Sequence, residues 1–224
     1  MKFMYPDLIE VIDLSSKYIP SLVIESSDFL NELLTDLYAQ LNGSKGKAVL
    51  SKDDKPIDIA KKMEIIDNYF TFDINQKTLI NKILKRVSSL ALAGETYSDT
   101  MQFLGEVEQK LYQWAFEAPG DIVLDSLTPE ALLKAAGLSL SNDYSSKPEI
   151  AEKFIDYMEL VREYDTNKVF VFLNMRSYFN DTIMQLFINS IISHDLMAIL
   201  IDNKEYPMLN NESRITIDSE MCVF

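Results

Sequence analysis

The sequence predicts an α/β protein: a head built on a mostly parallel sheet, with an α-helical leg inserted into it. Three observations carry this prediction. Lys168-Val-Phe-Val-Phe-Leu-Asn174 and Leu196-Met-Ala-Ile-Leu-Ile-Asp202 are short, almost wholly apolar β-type runs, and an amphipathic segment from about Asn180 to Ser193 lies between them. Apolar strands flanking a helix are the pattern of a buried parallel βαβ unit, whose sheet needs helices on both faces. From Asp58 onward the spacing of apolar residues changes to that of long helices. Finally, the turn after the first run, Asn174-Met-Arg-Ser-Tyr-Phe-Asn-Asp181, contains no glycine. Nucleotide-binding α/β domains hold phosphate in a glycine-rich turn after a strand, so the scaffold is of that kind but its phosphate cradle is absent.

In chain order, Phe3 to Leu14 alternates loosely around Pro6 and reads as an edge strand or hairpin. Ser21-Leu-Val-Ile-Glu25 is a short apolar strand, and Ser26-Ser-Asp28 supply a cap and an acidic first turn for the next helix. That helix repeats Phe29, Leu33, Leu37 and Leu41 on one face and stops at Asn42-Gly43. Ala48-Val-Leu50 is a short strand in a polar stretch. Asn75 is expected to cap a helix with Leu79, Ile83, Leu84 and Val87 on one side, and a second helix runs from about Ser98 to Glu117. The two form a helical hairpin, broken at Ala118-Pro-Gly120. Thr128-Pro-Glu130 is a helix start with cap, proline and early acid, and Gly137 ends that short helix. A strand-like Leu138-Ser-Leu140 and a helix from about Pro148 to Tyr164 lead into the βαβ unit. The expected division is a head of residues 1–58 and 126–224 and a leg of 59–125. A leg without cover along its length favours an oligomer.

The chain has 224 residues, 47% of them hydrophobic and 25% charged, an ordinary soluble composition. No apolar run approaches the roughly 18 residues of a membrane span, and the N-terminus lacks a secretory core. Cys222 is the only cysteine, so no internal disulfide forms, and a cytoplasmic protein without membrane partners is expected. The net charge of −14 argues against nucleic acid. It is uneven, however. Lys45 to Arg86 holds ten basic residues against six acidic ones.

Catalytic patterns are missing. Gly43-Ser-Lys-Gly-Lys47 has the wrong spacing for a phosphate loop, follows a helix, and reads as a flexible loop. His194 is the only histidine and falls at a helix end, which leaves no triad and no metal cluster. Glu117, Asp121 and Asp125 crowd the end of the second long helix. With Glu25, they could form a structural calcium site, because calcium takes six to eight oxygens.

Several phrases then resemble, in order and spacing, one family. They are Leu22-Val-Ile-Glu25 before a helix, Asp73-Ile-Asn75 opening a long helix, and Leu132-Leu-Lys-Ala-Ala-Gly137. Glu152-Lys-Phe154 and Val169-Phe-Val-Phe-Leu-Asn174 with Ser177-Tyr-Phe179 complete the set. The chain is thereby similar, over nearly its whole length, to the type II-A CRISPR-associated spacer-acquisition proteins of the Csn-two family. The resemblance implies a head similar to P-loop kinases but without nucleotide hydrolysis, and a helical leg. It implies a homotetrameric ring whose channel threads the ends of linear double-stranded DNA, alongside the CRISPR integrase subunits and effector nuclease. Lys134 and Lys153 stand where family lysines line the channel, and Lys147 is a lesser candidate by proximity; Lys61 and Lys62 fall at the expected junction of head and leg. The resemblance also implies calcium, with Glu25, Asp121 and Asp125 at acidic family positions. Pro119, Val123 and Ser126 fall where other members have acids.

The expected function is therefore non-enzymatic, sequence-independent binding of DNA ends in support of new spacer acquisition in adaptive antiviral defence. Two rivals come from other classes: a phosphotransferase with an atypical nucleotide site, which a nucleotide titration would reveal, and a protein-binding adaptor that uses the leg as its surface.

Overall fold

The computed structural model describes residues 1–6, 8, 10–14, 17–141 and 150–224. They form two compact units, residues 1–72 with 143–224 and residues 73–142.

The first unit holds two sheets. Strands β1 (Lys2–Met4), β2 (Ile12–Asp13), β4 (Val49–Lys52) and β5 (Lys55–Ile57) make an antiparallel sheet in the order β2-β1-β4-β5. Strands β3 (Ile19–Ile24), β6 (Met63–Ile66), β7 (Val169–Leu173), β8 (Met197–Asp202) and β9 (Glu212–Ile217) make an all-parallel sheet in the order β6-β7-β8-β3-β9. Helices α1 (Ser27–Leu41), α2 (Ile59–Lys62), α6 (Ile150–Tyr164) and α7 (Asp181–Ser193) belong to the same unit. The predicted βαβ unit is β7-α7-β8, and its strands are parallel neighbours with Val169 opposite Met197.

Why the strands read as unbroken apolar runs is clear from their burial. All of β3 and β7 is buried, because both faces of the sheet are covered. Alternate side chains divide between the two faces. Val169, Val171 and Leu173 join the core that contains Phe29, Leu33 and Leu37 of α1 and Phe3 and Leu50 of the small sheet. Phe170 and Phe172 turn the other way. Phe172 meets Phe154 of α6 edge-on at 5.8 Å and Phe187 of α7 at 5.0 Å, while Phe170 meets Tyr157 at 6.0 Å. Such ring pairs add to the area they bury. Ser26 caps α1 by accepting the Phe29 N–H, and Asn180 caps α7 by accepting the Ile183 N–H at 3.0 Å.

The second unit is helical: α3 (Lys77–Ala91), α4 (Thr96–Phe116) and α5 (Pro129–Ala135). Leu79, Ile83 and Leu84 form the buried stripe of α3, against which α5 packs. Thr128 caps α5 by accepting the Ala131 N–H at 3.1 Å, with Pro129 in the first turn.

The structure moves the expected boundaries of the leg, 59–125, at both ends. Met63–Ile66 pairs with β7, Met63 opposite Val169, so 59–72 stays with the sheet. Four residues beside a lysine pair are too short to show a strand period. At the other end α5, expected in the head, packs on α3 and joins the helical unit. Asn75 is not the cap of α3, whose first residue follows Gln76. Its carboxamide instead accepts the Leu140 N–H at 2.7 Å and donates to the Leu140 carbonyl, so Leu138–Leu140 is held by a side chain and forms no strand. Strand β9, with its polar Glu-Ser-Arg start, has no counterpart in the sequence reading.

Candidate nucleic-acid interface

The densest basic surface of the helical unit is α3. It carries Lys77, Lys82, Lys85 and Arg86 and no acidic residue. Burial of Leu79, Ile83 and Leu84 turns Lys77, Lys85 and Arg86 outward, where all three are exposed, and none of the three is taken up in an ion pair among the described residues. Lys134 of α5 is exposed and donates to Glu130 at 2.7 Å, one turn back. That bond, with the Lys134 charge, holds the Glu130 carboxyl below the usual range, and the charge of Lys85 adds to the effect. Lys85 and Lys134 are thus electrostatic neighbours across the α3–α5 contact.

Lys153 behaves differently. It is half-buried on α6, its ammonium donates to the Phe72 carbonyl, and it stands 5.6 Å from the centre of the Phe72 ring. Lys153 therefore ties α6 to the segment after β6, whatever else it binds. Lys147 lies outside the described residues. Lys61 pairs with Asp58 at 3.3 Å and Lys62 with Asp165 at 2.6 Å, both within the head.

The loop expected to be flexible, Gly43–Lys47, is tied down. Asp36 of α1 accepts the N–H groups of Lys47 at 2.8 Å and Ala48 at 3.0 Å. Burial of Asp36 works against its charged form, but these bonds and the one from Gln40 outweigh it, and its carboxyl titrates below the usual value. A Cβ on Gly46 would fall 2.5 Å from the Asp36 carboxylate and the Gln40 side chain. Amides that a phosphate could have used are occupied by a carboxylate. Sequence spacing rejects the phosphate loop but does not reveal Asp36 as the reason.

In open parallel sheets, ligands bind beyond the carboxyl ends of the strands. There β3 passes into α1 through Glu25 and Ser26 alone, with no glycine. Beside it the crossover between β8 and β9 covers a buried ionic cluster. Arg176 bonds Asp181 at 2.9 Å and the Pro207 carbonyl at 2.7 Å and lies 3.5 Å from Glu212. Arg214 bonds Glu212 at 2.8 Å and the Tyr206 carbonyl at 2.7 Å. Asp202, 2% exposed at the end of β8, has one carboxylate oxygen without a hydrogen bond. Burial pushes its pKa up to about 6, against the pull of Arg176. Neither a nucleophile nor a phosphate cradle is among these residues. They clamp the crossover. The sequence signal for the cluster was an arginine in the glycine-free turn and an acid closing an apolar strand, which spacing alone could not pair.

Of the acids expected to bind calcium, Glu25 belongs to the head, while Asp121 and Asp125 lie in the irregular stretch after α4; all three are exposed. Among the described residues no group of three or more His, Cys, Asp or Glu side chains is placed to hold a metal ion. His194 caps α7 and lies 3.5 Å from Glu159, and Cys222 is exposed. Among the described residues no helix is long and apolar enough to cross a membrane.

A family model described as CRISPR-associated protein (Cas_Csn2) matches residues 40–220. No curated protein matches the chain. Among solved structures, the chain is similar to one described as an ATP-binding protein of an ABC transporter from Pyrococcus furiosus. The identity is 14%, covering 92% of this chain and 88% of that one, with a TM-score of 0.38. That likeness is too low to bear on what this chain does.

Proposed function

The chain belongs to the CRISPR-associated Csn2 family, and from that membership we propose that it binds the ends of linear double-stranded DNA, without reading sequence and without catalysing a reaction. In this reading four copies close a ring around the duplex and support new spacer acquisition, with the integrase subunits and effector nuclease as partners in the cytoplasm. The observation that carries it is the acid-free basic stripe of α3 with Lys134 beside it. Phosphate neutralisation needs ammonium and guanidinium groups in a row and no base-reading side chains. A chain with net charge −14 presents few such groups. Repeating them four times around one duplex concentrates them where the phosphates are, and the acidic remainder faces away. Lys153 contributes charge while also holding Phe72, so reversing it costs stability as well as affinity. In this reading Glu25, Asp121 and Asp125 are the acids that would hold calcium, which takes carboxylate and carbonyl oxygens. The glycine-free β3–α1 turn and the occupied amides at Asp36 support binding without nucleotide chemistry.

The test is a salt series on linear duplex with the paired reversal Lys85→Glu/Lys134→Glu. Binding should weaken about tenfold for all sequences alike, and the log affinity of the unaltered protein should fall by about 0.9 per contacted phosphate for each log unit of salt. Relaxed closed circles should not be threaded, and the solution mass should be that of four chains. Undiminished binding by the double variant would take α3 and Lys134 out of the interface. A lone chain in solution would remove the ring.

A further inference from the structure

The crossover from β8 to β9 covers charge where a parallel sheet usually buries hydrocarbon. The two strands flank β3 and run parallel to it, so the chain must return from the carboxyl to the amino end of the sheet between them. Such returns usually take about a dozen residues or more and pass through a helix. Here the return takes nine residues, 203–211, with no regular element. None of the nine is buried, and only Tyr206 and Leu209 are half-buried. The segment is a strap tied down largely by side chains. Arg176 and Arg214 donate to the Pro207 and Tyr206 carbonyls. Glu212 accepts the Leu209 N–H at 2.9 Å, and Gln185 of α7 accepts the Asn210 N–H at 2.9 Å.

Beneath the strap lies an unusual face. Glu212 and Arg214 pair with Ile19 and Ser21, and Asp202 pairs with Val23, so Ser21, Asp202, Glu212 and Arg214 all point to the same side of the sheet. Arg176 enters from the turn after β7 and lies 3.5 Å from Glu212. Three buried atoms, Ser21 Oγ, Asp202 Oδ1 and Arg176 Nε, bond no described residue. A buried polar group without a partner forfeits its hydration, and the loss is greatest for a charge. Lifting the strap returns water to this face.

Of these groups Asp202 can shed its cost by taking a proton. Arg176 opposes that, through its charge and its backbone N–H, and Arg214 of β9 adds to the opposition. Glu212 of β9 favours the proton, Tyr69 after β6 is a neutral phenol whose own ionisation Asp202 hinders, and Asp181 at the start of α7 draws on Arg176 from outside. Burial outweighs the arginines, which is why the Asp202 pKa is pushed up to about 6.

We propose that residues 203–211 are a proton-controlled strap: a proton on Asp202 locks it over β3 and β9, and loss of that proton lets it lift as a local unit while the sheet stays folded. Segments with few buried contacts open at low cost. In the lifted state Asp202 regains ordinary carboxyl acidity, so lifting increases as pH rises from about 4 to 6 and levels off above that.

Hydrogen exchange of the full chain at pH 5 and pH 8, with intrinsic rates divided out, tests this on the Leu209 and Asn210 amides against those of β7 and β8. The two strap amides should exchange well before the strands, with protection about tenfold lower at pH 8 than at pH 5. In Asp202→Asn their protection should be the same at both. Equal protection at both pH values in the unaltered chain overturns the proposal, and so does a fall that persists in Asp202→Asn. Strap amides that exchange only together with the strands overturn it as well. An Asp202→Asn chain that circular dichroism shows unfolded does the same, because the proposal makes the charge of Asp202, and not its shape, the cost.

Discussion

The two helices α3 and α4 are neighbours in one unit and have opposite surfaces. Helix α3 buries three apolar residues and shows solvent a basic face free of acids, whereas α4 buries one residue and leaves both aromatic rings and acids in solvent. The head repeats neither pattern: its central strands are covered on both sides by the chain's own helices. The difference teaches where the chain is self-sufficient. Stability resides in the head, and the helical unit leaves much of its apolar and charged surface in solvent.

The largest effect expected from this contrast comes from truncating one phenylalanine in each unit. Phe172→Ala removes a fully buried ring that two others touch and should cost about 3–5 kcal/mol in denaturant unfolding. Phe116→Ala, at a ring 91% exposed, should stay within about 0.5 kcal/mol. Equal losses would mean that α4 is as buried as the head.

The buried cluster gives a smaller, pH-dependent effect. The folded pKa of Asp202 lies above that of the unfolded carboxyl, 3.8 against about 6. Folding therefore favours the protonated form, and stability is lost as pH rises through that window. Asp202→Asn should stabilise the protein by roughly 2 kcal/mol at pH 8 and hardly at all near pH 4, read as melting temperature against pH. A constant gain across that range would show that the carboxyl stays charged in the fold.

Smallest is the cap of α5, which positions Lys134. Thr128→Ala should cost about 1 kcal/mol, and duplex affinity should fall only as far as α5 frays. Unchanged stability would place Lys134 on a helix held by packing alone.

The βαβ unit was legible because parallel strands buried on both faces leave an unbroken apolar signal, as in Val169-Phe-Val-Phe-Leu173. The caps at Ser26 and Thr128 were legible because a side-chain oxygen satisfies N–H groups only two or three residues away. Asn75 shows the limit of such local reading: its partner Leu140 is 65 residues distant, and a cap was expected instead. Of the candidate site, Lys134 is legible as a family position and the basic excess of 45–86 as composition, but only the packing of α5 on α3 brings Lys134 near Lys85.

Composition and periodicity by themselves determined the α/β class, the helical insertion and the lack of a phosphate cradle, because each depends on residues close together in the chain. Only the tertiary structure decided that 63–66 joins the sheet, that Arg176, Asp202 and Glu212 share one buried cluster, and that α4 keeps its rings in solvent. Those outcomes depend on which surfaces remain after packing, and packing joins residues that no local spacing relates.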